Sequence, residues 1–390
     1  MKGQEKDNPL REKVMRATAS AGLQALMVAG PDNFVYLTQS ALPYAPNLPN
    51  RRALAVVTPE GQGAVVCPYE WADLIREQGW EGLLFPYPES ATTKPLLDET
   101  DRALAALDVT HGRVGIDARR TPQSLVEACA NRWRALEWLG CDELLRGLRI
   151  VKTPGELERL QTAARHTDRA IIALMHHSEG MVDAVSYALA EMSERLRVHI
   201  GEYGGSAAGH LAVLQGLDAQ QIYLPPRGRL VPGNLVRVDI SNEYRGYWSV
   251  GGRTLVVGEP TKAQLRSYED LLLLNAAAVG MLRPGVAAHH VFDAVCARAD
   301  REQIPFWREI GVGHGLGTAE REAPFLNATD PTPLAEGMVV ALDIYGYGPQ
   351  RELVHSVDTH VIEADGCRRQ SWYRSWDRLN RLAGASARHG

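Results

Sequence analysis

Paired cysteines are what this 390-residue sequence most plainly lacks. Cys67, Cys129, Cys141, Cys296 and Cys367 are odd in number, scattered and never in CxxC spacing. That excludes a disulfide framework and a cysteine zinc site, and makes a reducing, cytoplasmic setting the expectation. No apolar run reaches the roughly 20 residues that cross a bilayer, and the opening MKGQEKDNPLREK has no apolar stretch of the secretory kind. No membrane association is expected. Neither sign of charge dominates: 23% of residues are charged, with a net charge of −5. Without a basic face or an acidic tail, no nucleic-acid partner is expected. No low-complexity linker interrupts the chain.

What is present is an ordinary globular composition, 45% hydrophobic, in a chain long enough for two domains with separate cores. Residues 1–150 alternate between helical and extended patterns. Leu10–Ala21 has helical spacing and stops at Gly22, and Leu23–Ala29 reads as a buried strand. Strands follow at Ala53–Thr58, Gly63–Pro68, Gly82–Phe85 and Arg113–Asp117, with helices at Glu70–Gln78, Pro95–Leu107 and Pro122–Trp133, the last capped by Thr121. This alternation predicts an α/β layer with a mixed sheet. Asp142–Lys152 reads as a connector into a second domain, residues 151–390. That domain begins with amphipathic helices Pro154–His176 and Met181–Val198 and turns β-rich from Ile222 to Val257. Helices Thr261–Leu282 and Ala287–Gln303 then precede further strands, so two helices followed by strands occur twice, a coarse internal repeat.

Leu235–Glu259, LVRVDISNEYRGYWSVGGRTLVVGE, reads as two strands joined by a turn at Ser241–Gly246. With GVGHGLG (Gly311–Gly317), Arg321-Glu322-Ala323, EGMVVALD before Ile344 and VDTHVIEADG ending at Gly366, it resembles, in order and spacing, the pita-bread family of creatinase, Xaa-Pro dipeptidase and aminopeptidase P. GPDNFVYLTQ near residue 30 and LRGLRIVKTPGELERLQTAA extend the resemblance to the creatinase-type N-terminal domain. The fold implied is therefore an α/β N-terminal domain, creatinase N-domain-like, followed by an α+β pita-bread domain.

The family's metallopeptidases hold two metal ions ~3.5–4 Å apart around a bridging water, on two Asp, one His and two Glu. Carried over one by one, these positions fall on Asp239, Val250, His314, Asp343 and Val357. Both bridging carboxylates are thus valines, which offer no lone pair to a hard cation. The expectation is a site remade for use without metal or other cofactor, with a single weak ion on His314 and Asp343 as the residual option. Creatinase, the metal-free member, clamps its substrate's carboxylate between two arginines. One lands on Arg321, and the other, from the neighbouring subunit, lands near Arg51, beside Arg52. That implies a homodimer and a small carboxylate or peptide ligand. The comparison fails elsewhere: creatinase's upstream histidine falls near Ile222 or Tyr223, its glutamate falls on Gly252, and His210 aligns only across a gap.

His314 is then the expected proton-transfer residue, with Asp343, Asp239 and Glu322 as partners. Its competing reading is a packed histidine left from a site that no longer turns over. Tyr247 is expected to line the pocket and Arg253 to neutralise Asp239 or Asp343. His355 and His360 flank Val357 on an alternating strand; His355 shares the face of Val357, but neither is counted among the expected site residues. His176–His177 and His289–His290 read as diverging surface pairs. Three functions remain open: a metal-independent hydrolase of a C–N bond in a small amino-acid-derived carboxylate, a non-catalytic binding protein, and a residual Xaa-Pro dipeptidase.

Overall fold

The computed structural model describes residues 9–42, 51–90, 92–179, 188–205 and 209–382. The chain forms two compact units, Met1–Arg149 and Ile150–Gly390. In the first, the order is α1 (Pro9–Ser20), β1 (Ala25–Val28), α2 (Pro31–Thr38), β2 (Leu54–Val57), β3 (Gly63–Pro68), α3 (Ala72–Glu77) and β4 (Leu83–Tyr87). It continues with α4 (Lys94–Ala106), β5 (Gly112–Ile116), α5 (Gln123–Arg132), β6 (Leu136–Gly140) and α6 (Asp142–Ile150). Six strands make one mixed sheet, β4-β3-β2-β1-β5-β6. Helix α1 buries Leu10, Val14 and Thr18 at four-residue spacing and ends where Gly22 takes φ +63°, a conformation that favours glycine.

Three sequence expectations change here. The region read as a connector is largely helix α6, and β6 and α2 are further elements, α2 starting at Pro31 in the first helical turn. Thr121 does not cap α5, whose flanking residue is Pro122. The Thr121 hydroxyl instead donates to Asp117 Oδ1 at 2.7 Å, and the same carboxylate accepts the Ala29 and Gly30 amides. Asp117 thereby ties the end of β5 to the turn between β1 and α2.

The second unit runs α7 (Pro154–Glu179), α8 (Leu189–Glu202), β7 (Leu211–Gln215), β8 (Leu235–Tyr244), β9 (Tyr247–Val257), α9 (Lys262–Val279) and α10 (Ala288–Glu302). Then come β10 (Gly313–Gly315), β11 (Glu322–Leu326), β12 (Val339–Tyr347), β13 (Leu353–Glu363), β14 (Gly366–Arg369) and β15 (Asn380–Leu382). The helix expected over Met181–Val198 is described only from Leu189 onward; residues 181–187 lie outside the described residues. β7 to β13 form one sheet in the order β11-β10-β12-β13-β9-β8-β7, with β14 on β13 and β15 on β9. The stretch from Ile222 to Asn234 is not strand. The hairpin turn is also tighter than expected: Tyr244 pairs with Tyr247, leaving only Arg245 and Gly246, both at positive φ, the signature of a two-residue hairpin turn.

Alternation along these strands separates core from site. On β8, Val236, Val238 and Ile240 pack with Ile171 and Leu174 of α7 and Leu196 and Ile200 of α8. On β12, Val340, Leu342 and Ile344 pack with Leu271 of α9 and Val295 of α10. The residues between them, Arg237, Asp239 and Ser241 on β8 and Asp343 and Tyr345 on β12, face the other way. The pairing places Asp239 opposite Gly252, Gly252 opposite Val357 and Val357 opposite Asp343. One row of side chains therefore crosses four strands.

Candidate active site

A small cavity of about 60 Å³, partly open to solvent, lies over this row. Val250 and Val357 give it apolar walls, and His210, Tyr223, Glu320 and Arg321 line it with Asp239, His314, Asp343 and His355. Its chemistry centres on His355. Nδ1 lies 2.7 Å from Asp239 Oδ1 and Nε2 lies 2.7 Å from Asp343 Oδ1, so one imidazole bridges both aspartates. Tyr345 stacks on the ring at 3.8 Å and 12°. The second oxygen of each aspartate has a cation of its own. Arg237 Nε donates to Asp239 Oδ2 at 2.7 Å, and Arg321 Nη1 donates to Asp343 Oδ2 at 2.9 Å. Arg237 is buried and also donates to the Ala219 and Gln221 carbonyls. Ser241 Oγ donates to Glu320.

His314 stands beside this chain of charges, on β10 opposite Ala341. Its Nδ1 is 2.9 Å from the Gly315 carbonyl, which fixes the proton on that nitrogen. Nε2 faces Asp343 Oδ2 at 3.6 Å.

The electrostatics follow from burial opposed by pairing. Burial alone would raise the Asp239 carboxyl, but Arg237 and His355 outweigh it and hold it below its ordinary value. Burial opposes ionisation of Asp343 too, and the neighbouring imidazoles of His314 and His355 outweigh that, holding it well below. For His355, burial disfavours the charged ring, yet Asp239 and Asp343 prevail and its pKa rises. Two ionised carboxylates can only accept, so both ring nitrogens must donate and the ring carries a positive charge.

A pH dependence with a definite sign results. The His355 contribution to stability is full below its unfolded pKa of about 6.5 and is lost as pH rises through the higher folded value. Across that window the slope is about −1.4 kcal/mol per pH unit. Urea unfolding between pH 6 and 8.5 is expected to show the protein losing stability relative to His355→Asn as pH rises. A constant difference between the two would refute the charged bridge.

Several expected site residues lie elsewhere. Glu322 is turned away, accepting from buried Lys152 Nζ at 2.9 Å, while Arg321, in the bend just before β11, has the cavity side. Tyr247 does not line the cavity. It is fully buried beside Leu160 and Leu316, its hydroxyl 3.4 Å from Glu156 Oε1. Arg253 neutralises neither Asp239 nor Asp343. Paired across from Val238, it faces the reverse side, donates to Asp358 at 2.6 Å and the Gly252 and Val357 carbonyls, and lies 3.7 Å from Asp168. Arg51 is paired with Glu70 and Glu89 in the first unit. His360 is buried on the face of β13 away from His355. His289 and His290 do not diverge: their rings are 4.2 Å apart on α10 and approach Asp293, outside the cavity.

His210, which aligned only across a gap, does reach the cavity. It is placed there because its carbonyl accepts the Ser241 amide at the start of β7. Arg237 escaped the sequence reading, although its two-residue spacing from Asp239 marked the shared face. No helix among the described residues is long and apolar enough to cross a membrane.

Known proteins bear on this geometry. The Creatinase/Prolidase N-terminal domain profile matches residues 11–151, and the metallopeptidase family M24 profile matches residues 158–364. The Xaa-Pro dipeptidase of Pyrococcus furiosus is 28% identical over 253 residues, 63% of this chain and 70% of that protein. Among solved structures, an X-Pro aminopeptidase from Thermotoga maritima superposes with a TM-score of 0.81 at 14% identity, over 95% of this chain and 99% of that one. The N-terminal domain of a FACT complex subunit from Cicer arietinum also shares the fold, with a TM-score of 0.66 at 17% identity over 93% of this chain and 95% of that one. A creatinase-type α/β unit followed by an α+β pita-bread unit, matched across both profiles, places this chain in metallopeptidase family M24, a family of peptidase-like hydrolases.

Proposed function

We propose that the protein is a metal-independent hydrolase that cleaves a C–N bond in a small amino-acid-derived carboxylate. The observation that carries this reading is the donor set. At the five family positions, Val250 and Val357 provide no ligand, and the two aspartates are already engaged by His355, Arg237 and Arg321. Such a set does not fit a dinuclear centre.

The remaining groups suit acid–base chemistry. With Nδ1 committed to the Gly315 carbonyl, His314 Nε2 takes a proton from water as the water oxygen attacks the substrate carbonyl carbon. The same proton then passes to the departing nitrogen as the C–N bond breaks. Asp343 stabilises the imidazolium formed between these steps. Arg321, 46% exposed at the cavity, has further N–H donors for the substrate carboxylate. A homodimer completes the proposal: Arg51 of a second copy would supply the other half of the clamp by exchanging its Glu70 and Glu89 partners for substrate.

The test is hydrolysis of dipeptides and guanidino acids after exhaustive dialysis against a chelator. Turnover is expected to be unchanged by metal removal. Activity lost with the metal and restored by adding it back would return the protein to the metal-dependent Xaa-Pro dipeptidases. A second reading, a non-catalytic binding protein, is favoured by one observation: every carboxylate in the row already has its counter-charge. Thermal stabilisation by a small carboxylate, abolished in Arg321→Ala and unaccompanied by turnover, would establish that alternative.

A further inference from the structure

We infer that His355 and Gly252 are a matched pair, through which the protein fills the space between Asp239 and Asp343 with one of its own side chains. The inference rests on the metal-free reading of the cavity but holds equally for a hydrolase and for a binding protein.

Gly252 lies in the middle of β9, in an extended backbone that any residue adopts, so conformation does not explain it. Space does. A Cβ added at Gly252 would fall 2.6 Å from His355 Nδ1, 2.7 Å from Cε1 and 2.9 Å from Val357 Cγ2. These distances are far inside van der Waals contact, so any side chain here drives the ring off Asp239. The ring is held on its other sides as well. Tyr345 covers one face, and the Thr254 hydroxyl accepts the His355 amide at 2.7 Å and donates to the His355 carbonyl at 3.0 Å.

The consequence is positional. His355 occupies Oδ1 of both aspartates, which turns Oδ2 of Asp239 to Arg237 and Oδ2 of Asp343 toward Arg321 and His314. His355 is therefore the positioning residue of the cavity. A divalent cation seeking both aspartates meets ring atoms rather than open space, and entry would require breaking two 2.7 Å hydrogen bonds. The cavity thus admits ligands that reach His314 and Arg321 without contacting both aspartates together.

The experiment uses the full chain, stripped with chelator, selectively ¹⁵N-labelled at histidine and deuterated. The wild type is expected to show a pair of slowly exchanging ring N–H signals that vanish in His355→Ala and shift or broaden in Gly252→Ala. Gly252→Ala is expected to lower Tm by at least about 4 °C in the wild type and by less than half as much in a His355→Ala background. The double variant keeps the test valid if Gly252→Ala alone does not fold. Absence of the paired signals in the wild type, or equal Tm losses in both backgrounds, would overturn the matched pair. Manganese(II) titration of the same samples separates the two proposals. With no saturable uptake the metal-free reading stands, and equal Tm losses or missing ring signals would then overturn the matched pair alone, whereas uptake of two ions per chain overturns the metal-free reading itself.

Discussion

Replacing Arg237 with alanine is expected to destabilise the C-terminal unit by about 3–5 kcal/mol, the range for removing one partner of a buried ion pair. The guanidinium is essentially inaccessible and makes three contacts, to Asp239 Oδ2 at 2.7 Å, to the Ala219 carbonyl at 2.9 Å and to the Gln221 carbonyl at 2.5 Å. Its loss leaves a buried carboxylate with His355 alone and strips two carbonyls of a donor, each costing about 1–3 kcal/mol if left unsatisfied. Lysine is a poor substitute, because an ammonium cannot reproduce the planar fork that reaches all three acceptors. Removing both charges tells the two causes apart. Arg237→Met with Asp239→Asn eliminates the uncompensated charge, so the double variant is expected to unfold at higher urea than Arg237→Ala. Urea denaturation at pH 7 reads both. A loss below about 1 kcal/mol for Arg237→Ala would mean that Asp239 does not depend on this cation.

Arg237 also shows what the sequence makes visible and what it hides. Two-residue alternation in LVRVDIS sets Arg237 and Asp239 on one face, a local signal that would have found Arg237 and was passed over. The same rule put His355 on the face of Val357, although the sequence reading did not carry it into the site. It could not show the ring reaching both aspartates, because that depends on pairing between residues more than a hundred positions apart and on a glycine opposite. Glu322 and Arg253 failed for a related reason. Each adjoins a site residue in sequence, Arg321 or Gly252, but turns its own side chain to partners outside the cavity. Tyr247 sits at the very start of β9, where the tight Arg245–Gly246 turn carries it into the core beside Leu160. Most strands and helices were legible from periodicity and from Gly and Pro punctuation, but α2, β6 and α6 escaped, and Ile222–Asn234, read as β-rich, is not strand. Least legible was β7 with His210, whose position is set by pairing to β8 rather than by any motif of its own.

His314→Ala is expected to reduce turnover on any substrate the protein hydrolyses by about 10²–10⁴-fold, the usual worth of a positioned general acid–base group. KM should change little, since the proposed mechanism gives the substrate carboxylate to Arg321 rather than His314. The geometry assigns the role to His314 and not to His355. Both His355 nitrogens are tied to aspartates at 2.7 Å, so that ring has neither a lone pair to accept a proton nor an unengaged one to give. His314 has one nitrogen committed to a backbone carbonyl and the other directed at Asp343 and the cavity. His314→Gln is a sharper probe, because an amide keeps hydrogen-bonding capacity while losing the ability to cycle a proton. It should be nearly as impaired as the alanine variant while retaining wild-type Tm. Steady-state kinetics on the chelator-treated enzyme decide the matter: turnover within threefold of wild type in both variants would remove His314 from the reaction and leave the pocket to binding alone.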